Sequence, residues 1–426
     1  MAVTVVAFLG ESLTYRSPGP RSGRRPAAWA TLLPMAAASL IRAIGALSLT
    51  IALAVSAVGC SSASDLVLAG TSRNAAGVSA TAVPATKLDT VLDGLDSPSG
   101  MAFTPAGDTL IVAGDDIIVL DAQGRTSTLK HDIGDLPDSG NALLDIAVSP
   151  DFSTDHTLYV CHRTNDGVRV TQLQTESKLR WARQQGPIVT GIPTPTETTG
   201  GCRIAFGPDG YLYVGTSDGG DPTASQSLAS LGGKILRIDV ETRGAPDDNP
   251  FITRADPHSQ LIYSYGLRDV VGLAWHPTTD ALYALDRGPG REDEVNLIVS
   301  GGNYGWNPAS ASTSDYDTDG VAMTDLSLPQ ARPAVWSSGT SGAPGVSGAT
   351  FLSGDTWSAG SGLLIITSSA GVQAMRLTGE VAAQSETLES LENVGATGAI
   401  ALCASGALYV VTADDGGDRL VRVRVR

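Results

Sequence analysis

Six times between Ser99 and Val411 the chain repeats one pattern: a short strand centred on a small residue, a turn carrying Pro, Gly or Asp, and a second apolar strand. The instances are SGMAFTPAGDTLIV from Ser99, LDIAVSPDFSTDHTLYV from Leu144, CRIAFGPDGYLYV from Cys202, VGLAWHPTTDALYA from Val271, SGATFLSGDTWSAGSGLLII from Ser347 and GAIALCASGALYVV from Gly398. A repeated unit buries its apolar face only against its neighbours, so the repeat constrains the fold before any single motif does. Aligned on Ala102, Ala147, Ala205, Ala274, Ala349 and Ala401, the units lie 45, 58, 69, 75 and 52 residues apart. Spacing this uneven does not suit a solenoid and does suit propeller blades joined by loops of unequal length. The expected fold is all-β, a six-bladed β-propeller of four-stranded antiparallel blades, with an unrelated β-sandwich as the plainer alternative. The alanines fit innermost strands, where blades crowd an axis, and 49 glycines in 426 residues argue against a helical bundle.

The chain ahead of the repeat reads differently. Ala43 to Val58 is an apolar run too short for a comfortable membrane span, preceded by Arg42 and ended by Ala57-Val58-Gly59-Cys60. Small residues before a cysteine resemble the bacterial lipobox, which implies lipidation of Cys60 and an exported protein anchored to the outer face of the cytoplasmic membrane or cell envelope. An ordinary secreted protein is the alternative. Residues 1–34 look like an extension ahead of a signal starting at Met35. Residues 1–60 are thus expected to be extension and signal peptide, 61–87 a Ser/Ala/Gly-rich tether, and 88–426 the propeller.

Net charge excludes one class of partner. The first 60 residues hold five arginines and one glutamate, leaving 28 − 5 = 23 basic against 44 − 1 = 43 acidic residues, about −20. Such a surface repels phosphate backbones, so nucleic acid is not expected as a partner.

The densest cluster of glycines, paired carboxylates and aromatics runs from Leu261 to Asn307. Its loop Arg287-Gly288-Pro289-Gly290-Arg291-Glu292-Asp293-Glu294 sets carboxylates side by side, which repel unless a basic side chain or a hard cation such as calcium neutralises them. Gly266, Arg268, Gly272-Leu273-Ala274, Gly288-Pro289, Asp293 to Ile298 and Gly302-Asn303-Tyr304-Gly305-Trp306 match, in order, the motifs of the soluble quinoprotein glucose/sorbosone dehydrogenases, which this chain resembles. A second match covers Gly201 to Val214, Asp218-Gly219-Gly220, Gly233 to Arg237 and Asn249-Pro250-Phe251. The resemblance implies a six-bladed propeller using pyrroloquinoline quinone (PQQ) and calcium to oxidise sugars.

Carried over residue by residue, that activity meets gaps. The family's catalytic histidine stands four residues before the arginine of its G-R-[LI]-x-F strand; here Thr199 stands four before Arg203. Threonine is no base near neutral pH, and none of the five histidines lies in that segment. The family's lysine and two arginines that hold the PQQ carboxylates fall at about Ala370, Ala396 and Gly398, its blade-two glutamine at Gly140, and the asparagine after the arginine at Asp269. Arg268 persists. Each missing charge-assisted hydrogen bond costs on the order of 1.5–3 kcal/mol, so tight PQQ binding is not expected. The calcium parts survive better: the resemblance assigns the carbonyls of Gly288 and Pro289 to the quinone-bound ion, and Glu294 and Tyr304 to a second ion. The alternative is that Asp293, Glu294 and Asn296 only hydrogen-bond loop backbone.

Three cysteines follow Cys60. Cys161 ends a blade-two strand and Cys202 begins the next blade, which would put them within disulfide range; buried thiol is the alternative for both, and the expectation for Cys403. Two functions are weighed. The first is an envelope propeller that has lost the redox chemistry and binds a small molecule, glycan or envelope protein at the axial face, through Arg268, Asp269, Arg287 and a stacking wall at Trp336. The second is a PQQ- and calcium-dependent oxidoreductase acting on the CH–OH group of a sugar or related alcohol.

Overall fold

The computed structural model describes residues 85–196, 200–221, 223–308, 321–358, 360–378, 381–392, 395–413 and 417–425, with only backbone described for the residues between 378 and 397. Cys60 and Thr199 lie outside the described residues. Six four-stranded antiparallel blades follow one another. Blade one is β2–β5 (Pro98–Phe103, Thr109–Ala113, Asp116–Leu120, Thr126–His131), and blade two is β6–β9 (Leu143–Val148, Thr157–Thr164, Gly167–Thr175, Trp181–Ile192). Blade three is β10–β13 (Cys202–Phe206, Leu212–Thr216, Lys234–Ile238, Ile262–Tyr265), and blade four is β14–β17 (Val270–Trp275, Leu282–Asp286, Glu294–Ile298, Trp336–Ser337). Blade five is β18–β21 (Val346–Phe351, Leu363–Ser368, Gly371–Thr378, Val381–Glu392). Blade six is β22–β24 (Gly395–Leu402, Leu408–Ala413, Asp418–Val425), completed on its outer edge by β1 (Thr86–Leu95), which pairs with β24. The innermost strands β2, β6, β10, β14, β18 and β22 contact one another in a closed ring, as the repeat predicts.

The second strand of a blade is pressed between both neighbouring blades, which is why TLIVA, LYVGT and LLIITS are apolar or small throughout, LYALD is so up to its closing acid, and every residue in the four is buried. Among the described residues, one apolar cluster fills each seam; Leu110, Leu129, Ile146 and Leu158 lie between blades one and two, and Val271, Leu285, Ile366 and Met375 between blades four and five. Convergence on the axis demands small residues. A Cβ on Gly100 would sit 2.4 Å from Asp145 Oδ1, and one on Gly348 2.7 Å from the Gly398 carbonyl.

The inner strands share an irregularity that sequence spacing does not reveal. In blades one, two, four and five the register slips by one residue near the strand's start, leaving Ser99, Leu144, Val271 and Ser347 unmatched by the second strand. Such a bulge turns backbone groups away from the ladder. All four released carbonyls accept from the guanidinium of Arg203, which blade three, without a slip, sends into the axis: Nε to Val271, Nη1 to Ser99 and Leu144, Nη2 to Ser347. Gly398 of blade six packs so closely that a Cβ there would lie 2.3 Å from Nη2.

Cys161 and Cys202 form a disulfide tying blade two to blade three, with Cα atoms 6.4 Å apart. Cys403 departs from the expected buried thiol: it sits half-buried in the β22–β23 turn with Sγ 3.0 Å from Ser405 Oγ, because a turn residue has no blade covering it.

Candidate functional site

Arg203 floors a narrow axial channel of about 210 Å3, lined by the inner strands. Asp145 lies beside it, buried and accepting the amides of Ile146 and Ile204; desolvation raises its pKa to about 6 while the Arg203 charge opposes that shift.

At the end where the inner strands begin, two segments build the mouth. The first is Gly266 to Asp269, leading into β14. Gly266 has φ +80°, and a Cβ on it would meet Asn303 Oδ1, so this turn needs glycine on both counts. The second is Arg287 to Asp293, between β15 and β16. A Cβ on Gly288 would collide with the Arg291 carbonyl, while the Gly288 amide donates to Asp293 Oδ1 at 2.9 Å. Asp293 also accepts from Val346, and its backbone is held by Ser338, so its carboxylate serves the loop backbone.

Buried Asp286, at the end of β15, joins the two segments by accepting the amides of Arg268 and Asp269. Desolvation raises its pKa to about 7 despite those two donors. Arg268 is itself buried: Nη1 donates to the carbonyls of Arg287 at 3.1 Å and Gly288 at 3.3 Å, and its guanidinium carbon lies 6.0 Å from the Trp306 ring centroid. Asp218 completes this group, receiving the Trp306 indole N–H at 2.8 Å. Burial raises Asp218 to about 6, against the Gly220 amide, the Trp306 bond and the Arg268 charge. Asp269 accepts from the amides of Gly200 and Gly201 and pairs with Arg287, with Nη2 to Oδ2 at 2.7 Å.

The structure therefore brings Arg268, Asp269, Arg287 and Gly288 together. Pro289 follows in the same loop. Glu294 lies deeper, opposite Asp286 in the β15–β16 ladder, accepting from Thr324 Oγ1 and Asn296 Nδ2. Desolvation first, then the Asp286 charge, raises it to about 8. The Tyr304 hydroxyl donates to the Leu297 carbonyl at 2.7 Å and accepts the Val299 amide, locking the end of β16. Trp336 stands on the short outermost strand β17, opposite Val295, and packs partly buried against the apolar seam between blades four and five. Arg203, Asp218, Asp286 and Trp306 were not assigned site roles from sequence; the available signal was an acid closing an apolar strand, as in LYALD.

The family model described as Glucose / Sorbosone dehydrogenase matches residues 95–422. The chain belongs to the glucose/sorbosone dehydrogenase family. Among curated relatives, an uncharacterised protein of Synechocystis is 32% identical over 58% of this chain and 65% of its own length. The aldose sugar dehydrogenase YliI of Escherichia coli is 27% identical over 59% of this chain and 68% of the enzyme. The alignment thus spans about two thirds of each relative. Among solved structures, the PQQ-bound aldose sugar dehydrogenase of Streptomyces coelicolor superposes with a TM-score of 0.63 at 29% identity, covering 81% of this chain and all of that one.

Proposed function

We propose that this protein is an exported, lipid-anchored member of the glucose/sorbosone dehydrogenase family that works as an axial-face binding module without the family's redox chemistry. One observation carries the reading: the positive charge at the mouth is already spent internally. Arg287 is paired with Asp269, and Arg268 is buried against the carbonyls of Arg287 and Gly288. The Gly288 carbonyl that the resemblance assigns to calcium thus faces a guanidinium. A tricarboxylate needs several fixed cations in a water-poor cleft. Ala370 offers none, Gly398 has no room beside Arg203, and no basic residue lies between Glu392 and Val411. The donor set therefore fits PQQ with calcium poorly. It suits a smaller polar ligand, a glycan end or an envelope-protein loop able to hydrogen-bond the Arg287–Asp269 pair.

A second reading keeps the enzyme, a PQQ- and calcium-dependent oxidoreductase acting on a sugar alcohol group. It is favoured by the likeness to the PQQ-bound Streptomyces coelicolor enzyme and by the retained Arg268 and Gly288-Pro289. Calorimetry with PQQ in excess calcium, followed by dye reduction over an aldose panel, separates the two. The binding-module reading expects neither saturable heat nor sugar-dependent reduction. A dissociation constant of about 1 μM or tighter, or about −8 kcal/mol, together with turnover, would establish the second reading.

A further inference from the structure

Among the described residues, blades one and two differ from the other neighbouring pairs in being stitched edge to edge. Their outermost strands β5 and β9 pair in parallel, Lys130 opposite Trp181 and His131 opposite Ala182, and the Lys130 amide donates to the Arg180 carbonyl at 3.1 Å. Two sheet edges thereby become one continuous face. Leu129 and Ala182 turn inward, so Thr128 and Lys130 of β5 and Trp181 and Arg183 of β9 turn outward together, with Gln174 of β8 opposite Arg183. With Arg180 these side chains line an open cleft of about 850 Å3 on the rim, separate from the axial mouth.

Two features mark this cleft off from ordinary surface. Trp181 is 54% exposed, and among the described residues Leu326 is its only companion as an exposed large apolar side chain. Around that indole stand Lys130, Arg180 and Arg183 against one acid, Glu176, although residues 61–426 carry about −20. Arg180 pairs with Glu176 at 3.0 Å, and the Lys130 ammonium lies 5.9 Å from the indole centroid. Arg183 makes no ion pair among the described residues.

We infer that this seam is a surface site for an anionic saccharide, a uronate-bearing oligosaccharide whose pyranose face stacks on Trp181 while its carboxylates meet Lys130 and Arg183. Pyranose rings present a C–H face that an indole covers well, and Thr128 and the Gln174 amide oxygen lie beside it for hydroxyl groups. A bilayer is a worse match, because a lone indole ringed by charged and polar side chains offers little apolar area for insertion. The acidity of the rest of the molecule disfavours nucleic acid.

The test is calorimetry of the exported chain with trigalacturonate and, as the uncharged control, maltotriose. Trigalacturonate should bind about ten-fold or more tightly than maltotriose, and the preference should shrink at high salt. Trp181→Ala should weaken binding about ten-fold and Arg183→Gln about five-fold, with PQQ titrations unchanged. Both residues are exposed, so the fold should survive; if Trp181→Ala melts early, Trp181→Phe and Arg183→Gln carry the comparison. Absence of trigalacturonate binding, equal affinity for maltotriose, or full binding by both variants overturns the inference. So does Trp181-dependent binding to phosphatidylglycerol vesicles in place of the saccharide, or a Trp181-dependent dimer in sedimentation velocity.

Discussion

Arg287 Nη2 lies 2.7 Å from Asp269 Oδ2, and that buried carboxylate also gathers the amides of Gly200 and Gly201. One side chain therefore holds the entry to blade three and the β15–β16 loop of blade four in a fixed relation. Asp269→Ala would strand a guanidinium and two amide donors together. Because Arg287 is partly exposed, the expected cost is about 2–4 kcal/mol in urea denaturation. Asp269→Asn, which keeps an acceptor oxygen, should cost less than half of that.

The Arg203 plug predicts a coupling. Arg203→Met leaves four bulge carbonyls without their donor and Asp145 without its compensating charge, an expected loss of about 3–5 kcal/mol. Adding Asp145→Asn removes the uncompensated acid, so the double variant should be more stable than the sum of the single losses by about 1 kcal/mol or more in a thermodynamic cycle.

The disulfide closes 41 residues of sequence, from Cys161 to Cys202. The chain-entropy relation gives such a loop about 4 kcal/mol, so Cys161→Ser with Cys202→Ser should lower chemical stability by roughly that amount. Non-reducing peptide mapping should find this pair joined and Cys403 free.

Stability should depend on pH through the acids beneath the mouth. Asp286 and Glu294 have folded pKa values raised to about 7 and about 8 from 3.8 and 4.5. A raised acid contributes its stability in full below the unfolded value and loses it as pH climbs through the folded one. The stability of the wild type relative to Glu294→Gln should therefore fall between pH 4.5 and about 8, by at most about 5 kcal/mol. The comparison is made with urea midpoints at several pH values. Calcium seated against this acid pair would erase the trend.

Attachment follows from Cys60 as the proposed acylation site. Cys60→Ser should move the protein from the membrane pellet to the supernatant after a carbonate wash, and persistence in the pellet would contradict the anchor.

Why some of this was legible in sequence and some was not has a physical basis. The propeller was readable because blade packing imposes a repeated apolar second strand and a small residue at the axis, both of which survive as letters. The cysteine pairing was readable once blades two and three were known to be adjacent. Arg203's role was not, because it depends on four one-residue slips in register, and a slip leaves no mark in composition. The place of Trp336 on an outermost strand is not readable, because sequence does not say which strand of a blade is outermost. The Lys130–Trp181 face is not legible because β5 and β9 are not neighbours along the chain.

The pairing of β1 with β24 sets the order of events in assembly. Thr86 is partnered by Val425, so β1 stays without its edge partner until all six blades have been synthesised. Contacts this remote in sequence make ring closure late and slow. A chain cut before Asp418 would lack β24, leaving β1 unpaired and the edge of β23 open to pairing with another chain. Completion of the ring thus acts as a check that its first and last strands are both present and intact.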